Sequence, residues 1–363
     1  MQDPSLLTLA TVEAPHPASQ ADVEAAVRTR FASGPVEFDV AELAAVFRRA
    51  GIERRTFALP LEEYVGAAGG RVARAALSSE NRNERFLESA GEMLLRAADK
   101  AVPAAVRDSV THVVTVTTSG VATPSLECAV IDSLDIARSA RRVPVFGLGC
   151  AGGTSGLQIA RDLASSSEDA LVLVLCVELT SLTYLSSDVS QRNFVACALF
   201  GDGAAAALVG GPKHAQDGGP LATLGRTTTQ MVPDSRELMG WDVGPDGWEV
   251  VFSPRIPAVV RREARKLVET VAAPPELSHW ILHPGGRKVL EAYSSALDLD
   301  SDQLEPARAT LQHHGNMSAA TVLFVLDRVL GSEGFAPGPA VATAFGPGFS
   351  AEAIALDLLR SSR

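Results

Sequence analysis

The chain has 363 residues, of which 46% are hydrophobic and 21% are charged, and its formal net charge is −11 at pH 7. This length predicts two domains or two fused halves, and the composition is typical of a globular protein with a large core. The acidic balance argues against a protein that binds nucleic acid or anionic membranes. No run of about 18 apolar residues is present, so we predict no membrane span.

The beginning of the chain and its cysteines show no pattern typical of export or of metal binding. Residues 1–20 carry Asp3 and Pro4 where a signal peptide carries basic residues, and we interpret this segment as a partly ordered leader. The chain has four cysteines: Cys128, Cys150, Cys176 and Cys197. Their spacing is not that of a disulfide framework or a zinc site. We therefore predict a cytoplasmic protein with reduced thiols and no bound metal.

Hydrophobic periodicity predicts helices and strands in alternation. In chain order it predicts helices over 23–31, 39–52 and 79–102, a strand over 111–117, a helix over 125–140, a strand over 143–149, a helix over 151–166, and strands over 170–177 and 203–209. After a loop-rich section over 211–254 it predicts a helix over 256–273, a strand over 279–283, helices over 285–297 and 315–330, and strands over 339–344 and 351–358. This order indicates an α/β protein with buried sheets.

The order of elements repeats in the two parts of the chain. Cys150 follows Thr117 by 33 residues, Asn316 follows His283 by 33 residues, and each pair joins the end of a strand to the start of a helix. The repeat predicts two duplicated halves, residues 1–218 and 219–363. A pseudo-twofold axis between them would bring Cys150 and Asn316 face to face, with His283 close by.

These three residues have a plausible joint chemistry and a structural alternative. A thiol at a helix N-terminus, beside an imidazole, is favoured as the thiolate, which attacks acyl thioesters. Taken singly, Cys150 also fits a small core residue, His283 a structural strand end and Asn316 a helix N-cap. Taken together, they suggest a cysteine nucleophile with two donors for a developing oxyanion.

Seven short segments, in this order, resemble the type III polyketide synthases of the chalcone synthase superfamily. They are "TTSGVATPS", "GLGCAGG", "CVELTSLTY", "ALFGDGAAAALVG", "HPGGRKVLE", "HGNMSAATVLFVLD" and "AFGPGFS". The resemblance runs from about residue 40 to the end of the chain. It implies the thiolase fold, a duplicated αβαβα architecture of five layers, and a homodimer.

The resemblance also implies a catalytic role for each of the three residues. Cys150 matches the cysteine that takes an acyl group from coenzyme A. His283 and Asn316 match the pair that binds the thioester carbonyl of malonyl-CoA during its decarboxylation. The implied substrates are free coenzyme A thioesters, and no permanently bound cofactor is implied.

Further residues match positions that contact substrate in this family. Phe200 and Phe252 match two gatekeepers between the coenzyme A tunnel and the cavity, although either could be ordinary core. The matched cavity and cyclisation positions are Thr118, Thr123, Thr183, Ser318, Gly346, Pro347 and Gly348. Thr123 replaces a methionine that reaches across the dimer in plant members, and Ala344 replaces a glycine of the cyclisation loop. One lysine that contacts coenzyme A in plants has no counterpart.

Four arginines are candidates to replace that lysine, since guanidinium groups bind phosphate in a bidentate manner. They are Arg48, Arg49, Arg54 and Arg55. Each of them also fits a solvated basic surface.

The segments "GLGCAGG" and "LMGWDVGPDGWEVVFSPRIP" are most similar to bacterial members that make alkylresorcinols or alkylpyrones. This implies a fatty acyl starter, two or three malonyl-CoA extensions, and a pyrone or resorcinol product. The small residues Thr123 and Ala196 fit a roomy cavity. Three alternatives stay open: a ketoacyl synthase III-like enzyme using acyl carrier protein, a non-catalytic thiolase-fold binding subunit, and a cysteine acyl hydrolase.

Overall fold

A mixed sheet of nine strands runs through the computed structural model, which describes residues 3–32, 36–65, 79–184, 188–216, 219–244 and 247–360. The strands are β1 (Ser5–Glu13), β2 (His16–Ser19), β3 (Arg54–Phe57), β4 (His112–Thr117), β5 (Arg141–Phe146), β6 (Leu171–Leu179), β7 (Asp202–Gly210), β8 (Ala222–Met231), β9 (Met239–Gly244), β10 (Gly247–Phe252), β11 (His279–Leu282), β12 (Gly338–Gly346) and β13 (Ser350–Leu358). The strand order in the large sheet is β11-β12-β13-β8-β1-β7-β6-β4-β5. Two antiparallel pairs, β2 with β3 and β9 with β10, lie outside it.

Twelve α-helices lie within the described ranges. They are α1 (Gln20–Ala32), α2 (Val40–Leu43), α3 (Ala45–Arg49), α4 (Leu61–Val65), α5 (Ser79–Ala101), α6 (Glu127–Ser133), α7 (Gly152–Ala164), α8 (Gln191–Leu199), α9 (Ile256–Val271), α10 (Arg287–Leu297), α11 (Glu305–His314) and α12 (Thr321–Leu330). α7 and α12 contact strands of both ends of the large sheet, whereas α5 covers β6 and β7, and α9 covers β8 and β13. The layers are therefore helix, sheet, helix, sheet and helix, as the resemblance implies.

The large sheet consists of two copies of one arrangement. β6 is parallel to β4 and antiparallel to β7, and β12 is likewise parallel to β11 and antiparallel to β13. β1 then pairs antiparallel with β7, and β8 with β13. The copies meet where Ser5 and Leu6 of β1 pair with Thr223 and Ala222 of β8. The predicted duplicated thiolase fold is thus confirmed.

Burial explains why the sequences of the central strands are continuous apolar runs. Every residue of β6 and β7 is buried, because helices cover both faces of the sheet there. The same holds for most of β12 and β13. These strands therefore fix the ends of the two half-sheets, where the candidate site residues lie.

Several predicted elements are wrong. The segment interpreted as a leader contains β1, and the section interpreted as loops contains β8, a sheet strand that alternates between more and less buried residues. Both strands are stabilised by partners far away in the sequence, so local composition does not reveal them. The predicted helix over 39–52 is two short helices after the N-cap Asp39, and the helix predicted from residue 315 begins at Thr321. Helices α8 and α11 were not predicted.

Candidate active site

Cys150 lies in a 3-10 turn, Gly149–Ala151, which leads directly into α7. The N–H of Gly149 donates a hydrogen bond of 2.9 Å to Thr118 Oγ1 at the end of β4. Gly149 has φ +46°, and a Cβ there would lie 2.7 Å from Cδ of Pro347. The turn is thus clamped between β4 and the loop after β12, and Cys150 is only 6% exposed.

Asn316 approaches Cys150 from the other half of the fold. Its backbone N–H donates to the carbonyl of Leu199 at 2.9 Å, and its carbonyl accepts from Gly201 at 3.0 Å. Its Oδ1 accepts from the N–H of Ser318 at 2.8 Å, which fixes the side-chain amide. Both amide atoms of Asn316, Oδ1 and Nδ2, lie 3.9 Å from Sγ of Cys150.

His283 directly follows β11 and continues its register. Its N–H donates to the carbonyl of Thr343 at 2.9 Å. The imidazole is buried, and neither ring nitrogen has a hydrogen-bond partner among the described residues. Burial lowers the pKa of His283 to about 3, so the ring is neutral at pH 7.

Burial also controls the protonation of the thiol. It raises the pKa of Cys150 to about 12, and hydrogen bonds from Ser318 and Asn316 oppose that rise only in part. The carboxylate of Glu178 raises the pKa further. Desolvation therefore outweighs the helix N-terminus, and the resting site holds a neutral thiol beside a neutral imidazole instead of the predicted thiolate.

Glu178 is a site residue that the sequence analysis missed. It is fully buried on β6, and burial raises its pKa to about 7 against hydrogen bonds that lower it, Ser119 first. Its carboxylate accepts from the N–H of Thr118 at 3.1 Å and from Oγ of Ser318 at 3.4 Å. It thereby links the ends of the two half-sheets. An acidic residue inside the apolar run "LVLVLCVEL" is the signal that could have revealed it.

Cys150, His283 and Asn316 line one small cavity of about 10 Å³, which is room for about one water molecule. The other walls are largely apolar. They comprise Met239, Phe252, Ile256, Val260, Gly285, Val289, Tyr293 and Phe345. The structure therefore brings the three predicted catalytic residues together in a small, largely apolar space.

A larger surface groove adjoins this cavity. Phe252, Ile256, Gly285 and Val289 line both spaces, so Phe252 lies at their junction. The cationic residues on the walls of the groove are Arg48, Arg49, Arg192, Arg287 and Lys288. Its acidic wall residues are Asp39 and Glu42, so the groove is locally basic in a chain of net charge −11.

The structure contradicts the predicted phosphate contact of Arg55 and places Arg54 outside the groove. Arg55 is fully buried and donates to the carbonyls of Cys197 at 2.7 Å and Phe200 at 2.6 Å. Arg54 forms an ion pair with Glu13 at 2.9 Å and does not line the groove. Arg55 instead fixes the backbone beside the site. Arg192, Arg287 and Lys288, which the sequence analysis missed, take their place on the groove walls.

The remaining predicted substrate contacts lie around the two ends of the site. Phe200 is half-buried, its backbone forms a bridge with Asn316, and its ring lies 6.3 Å from that of Trp241. Ser318 is buried beside Asn316, and its φ is +48°. Thr123 is exposed, as part of the loop before α6.

Thr183 and the loop after β12 do not line the cavity that contains Cys150. Thr183 lines a separate small pocket, whose polar walls are Arg82, Asn83, Ser119 and Thr183. Gly346 ends β12, and a Cβ on it would lie 2.4 Å from the carbonyl oxygen of Leu148. Gly346 and Pro347 therefore pack directly on the cysteine turn, Gly348 lies beside Ser350 and Met231, and Ala344 is buried within β12.

The described ranges contain neither a metal-binding cluster nor a membrane-spanning helix. No group of three or more His, Cys, Asp or Glu side chains in them is arranged to hold a metal ion. None of the helices in those ranges has both the length and the apolar character needed to cross a membrane.

Comparison with known families covers nearly the whole chain. The family model for the N-terminal domain of chalcone and stilbene synthases matches residues 44–212, and that for the C-terminal domain matches residues 224–360. A Bacillus subtilis (strain 168) protein named as a chalcone synthase is 33% identical over 338 residues, which cover 86% of this chain and 88% of the relative. The 1,3,6,8-tetrahydroxynaphthalene synthase of Streptomyces peucetius subsp. caesius is 38% identical over 324 residues, which cover 88% of this chain and 84% of the relative.

Solved structures agree with this assignment. The crystal structure of 1,3,6,8-tetrahydroxynaphthalene synthase from Streptomyces coelicolor, a bacterial type III polyketide synthase, superposes with a TM-score of 0.86 at 25% identity, over 98% of this chain and 99% of that chain. A fungal type III polyketide synthase shares the fold with a TM-score of 0.87 at 24% identity, over 98% of this chain and 100% of that chain. The chain therefore belongs to the chalcone and stilbene synthase family and is a type III polyketide synthase, an acyltransferase that uses coenzyme A thioesters.

Proposed function

We propose that this enzyme loads an acyl starter onto Cys150, extends it with malonyl-CoA by repeated decarboxylative condensation, and cyclises the product. The observation that carries the proposal is the convergence of Cys150, His283 and Asn316 on one cavity, at the inner end of a basic groove. A cysteine nucleophile needs a neighbouring base, and a thioester carbonyl needs donors where negative charge develops.

The loading step starts from a neutral pair. Because thiol and imidazole are both uncharged at pH 7, the proton of Sγ moves to His283 as Sγ attacks the thioester carbonyl. The tetrahedral intermediate then expels the coenzyme A thiolate, which takes the proton back from the imidazolium. The acyl group remains on Cys150, and His283 is neutral again.

Extension uses the donors of the second half. Asn316 Nδ2 and an N–H of His283 bind the thioester oxygen of malonyl-CoA, and loss of CO₂ leaves an enolate whose charge rests on that oxygen. The enolate carbon attacks the acyl carbonyl on Cys150 and expels the Cys150 thiolate. The apolar cavity walls favour the decarboxylation, because they destabilise the malonyl carboxylate, which leaves as uncharged CO₂.

For the starter we propose a fatty acyl-CoA, which with two or three malonyl units would give a pyrone or a resorcinol. This rests on the similarity of "GLGCAGG" and of residues 239–258 to bacterial alkylresorcinol and alkylpyrone synthases. A short polar starter is the second candidate. The polar pocket at Thr183 and the similarity to a tetrahydroxynaphthalene synthase favour it.

We propose that the basic groove binds the phosphates of coenzyme A through Arg48, Arg49, Arg192, Arg287 and Lys288. Guanidinium groups bind phosphate oxygens in pairs, and five cations compensate the charge of a nucleotide with several phosphates. Phe252 is the proposed gatekeeper, because it separates this groove from the inner cavity.

We propose a homodimer that forms through β5, one of the two edge strands of the large sheet. An open edge strand is a ready template for pairing with another chain, and large exposed apolar side chains mark contact surfaces. Phe146 on β5 is 58% exposed, Val121 is 54% exposed and Val243 is 68% exposed. We expect wild type to behave as a dimer in light scattering and Phe146→Glu to be monomeric, whereas a monomeric wild type would refute this surface.

The division of the chain and its location complete the proposal. A boundary at residues 218/219 falls between β7 and β8, which belong to different half-sheets. All four cysteines are free, which is compatible with a reducing, cytoplasmic compartment. Cell fractionation of a tagged chain tests the location.

The experiment that tests the reaction is incubation with malonyl-CoA and a ladder of acyl-CoA starters, with products analysed by mass spectrometry. Polyketide pyrones or resorcinols from wild type, absent with Cys150→Ala, are expected, and the best starter decides between the two candidates. Products that form only with acyl carrier protein after a single condensation would favour the ketoacyl synthase III-like alternative. Thioester hydrolysis without CO₂ release would indicate a hydrolase, and no reaction at all would indicate a binding subunit.

A further inference from the structure

The inner cavity and strand β12 beside it carry buried polar atoms that have no hydrogen-bond partner. Tyr293 Oη and Thr343 Oγ1 have no hydrogen-bond partner among the described residues, and neither have the two ring nitrogens of His283. All three residues have less than 4% of their surface exposed, so bulk water cannot serve as their partner. Buried polar atoms in native proteins are nearly always hydrogen-bonded, to protein or to ordered water.

The unpartnered atoms belong to one corner of the site. Thr343 faces Leu282 in the parallel pairing of β12 with β11, and its carbonyl accepts from the N–H of His283. Side chains alternate along a strand, so Thr343 is on the same face of β12 as Phe345. The rings of Phe345 and Tyr293 lie 6.1 Å apart, and both residues line the cavity with His283.

The hydroxyl of Tyr293 has no packing role. A phenylalanine would fill the same space beside Phe345 without burying an unpaired oxygen. Burial holds the pKa of Tyr293 well above its ordinary range, and the nearby Thr343 hydroxyl opposes that rise only in part. Tyr293 is therefore a neutral donor and acceptor inside the cavity at pH 7.

His283 needs such a partner. An imidazole that exchanges a proton with a nucleophile through one nitrogen is oriented by a hydrogen bond on the other. Nε2 lies on the side of Gly285, where a Cβ added to that glycine would stand 3.7 Å away, which leaves Nδ1 for orientation. Asn316 does not accept this proton, because its Oδ1 already accepts from the N–H of Ser318 at 2.8 Å and its Nδ2 is a donor.

We propose that Tyr293 is a positioning residue which, together with Thr343 and a water molecule held between them, accepts the Nδ1 proton of His283 in a hydrogen bond and so favours proton transfer from Cys150 to Nε2. This rests on the proposed function, in which His283 takes that proton. The other ionisable group facing the pair is Glu178 on β6, whose carboxylate disfavours the Cys150 thiolate.

The test is the rate of Cys150 alkylation by iodoacetamide at pH 7, followed by peptide mass spectrometry so that the other three cysteines do not interfere. With Tyr293→Phe the imidazolium that forms as Sγ reacts has lost its partner, so we expect this rate to fall about tenfold, the equivalent of one pKa unit. We expect the limiting rate of Cys150 loading by acyl-CoA to fall about 10- to 100-fold, as for other residues that orient a reacting group, with the half-saturating acyl-CoA concentration unchanged.

Two further variants separate positioning from stability. Thr343→Val should slow alkylation in the same way but less, and Thr343→Ser should keep the wild-type rate, which provides a test even if Tyr293→Phe does not fold. Tyr184→Phe removes a buried tyrosine hydroxyl from a different core cluster, around Phe194, and should leave the alkylation rate unchanged.

An unchanged alkylation rate in folded Tyr293→Phe overturns the proposal, and so does an equal decrease in Tyr184→Phe. The alkylation assay needs no substrate. If wild type releases no CO₂ from malonyl-CoA, the proposed function fails, while the alkylation rates still decide whether Tyr293 positions His283.

Discussion

In the first half of the molecule the turn Gly149–Ala151 leads into α7, and in the second half the turn Ser318–Ala320 leads into α12. The backbones match, but the side chains do not. Cys150 is the middle residue of the first turn, and Ala319 is the middle residue of the second. The first half thus supplies a nucleophile where the second supplies a methyl group.

The donors of the second half come from neighbouring positions. His283 follows β11, and Asn316 lies two residues before the second turn. The middle strands of the two halves, β6 and β12, also differ at matching positions. Their second-last residues are Glu178 and Phe345, an acid in one half and an apolar ring in the other. A duplicated scaffold therefore brings two different chemical groups to one place, and each half can be altered separately.

Removing the nucleophile should have the largest effect. In Cys150→Ala no acyl-enzyme can form, so polyketide products should fall below detection. His283 and Asn316 remain, so malonyl-CoA should still be converted, more slowly, to acetyl-CoA and CO₂. Product analysis together with CO₂ release measures both, and loss of both activities in a folded variant would show that the two halves do not act separately.

Removing a donor of the second half should have the reverse pattern. Asn316→Ala takes one hydrogen bond from the developing enolate, which is expected to slow decarboxylation about 10²- to 10³-fold. Loading of Cys150 with acyl-CoA, measured by intact-protein mass spectrometry, should change far less. A variant that decarboxylates normally but no longer loads would contradict the assignment of Asn316.

The sequence alone was sufficient to predict the positions of functional residues that lie at the ends of long apolar runs. Cys150 and His283 follow such runs, and the duplicated order of elements predicted their approach. The equal 33-residue spacing predicted that Asn316 lies near Cys150, but not that the two positions correspond. In the structure, the residue of the second half that corresponds to Cys150 is Ala319. Arg55 could not be placed from its neighbours, since the carbonyls that bury it belong to Cys197 and Phe200, more than 140 residues away. β1 escaped prediction for the same reason, because its partner β7 is equally remote.

The close contact of the two turns predicts the third effect. A Cβ on Gly153 would lie 2.2 Å from the carbonyl oxygen of Ala319, so Gly153→Ala must force the halves apart. We expect the free energy of unfolding to fall by about 2–3 kcal/mol, as for other overpacked cores. The control is Gly91→Ala in α5, where nothing lies within 4 Å and helix propensity should raise stability by about 1 kcal/mol. Denaturant unfolding of both variants measures these changes. If Gly153→Ala were as stable as wild type, the two turns could move apart without loss of stability.

The smallest effect concerns Glu178, the acid that the first half carries where the second has Phe345. Burial raises its pKa from 4.5 to about 7, so the folded chain binds this proton more tightly than the unfolded chain. The stabilisation from the protonated carboxyl is complete below about pH 4.5 and is lost as the pH rises through 7. Glu178→Gln keeps the hydrogen bonds and removes the titration, so its free energy of unfolding should exceed that of wild type by on the order of 2 kcal/mol at pH 8 and match it at pH 5.

The matched control is Asp132→Asn on α6, whose carboxylate is 62% exposed and pairs with Arg138 at the surface. It should leave the pH dependence of unfolding as in wild type, because an exposed ion pair contributes little. If Glu178→Gln follows the wild-type curve from pH 5 to pH 8, the carboxyl is not desolvated as its position on β6 indicates. If the free energy of unfolding of Glu178→Gln instead stays constant over this range, Glu178 carries a negative charge near Cys150 only above about pH 7. The second half of the molecule has no such charge, because Phe345 lies in the corresponding place.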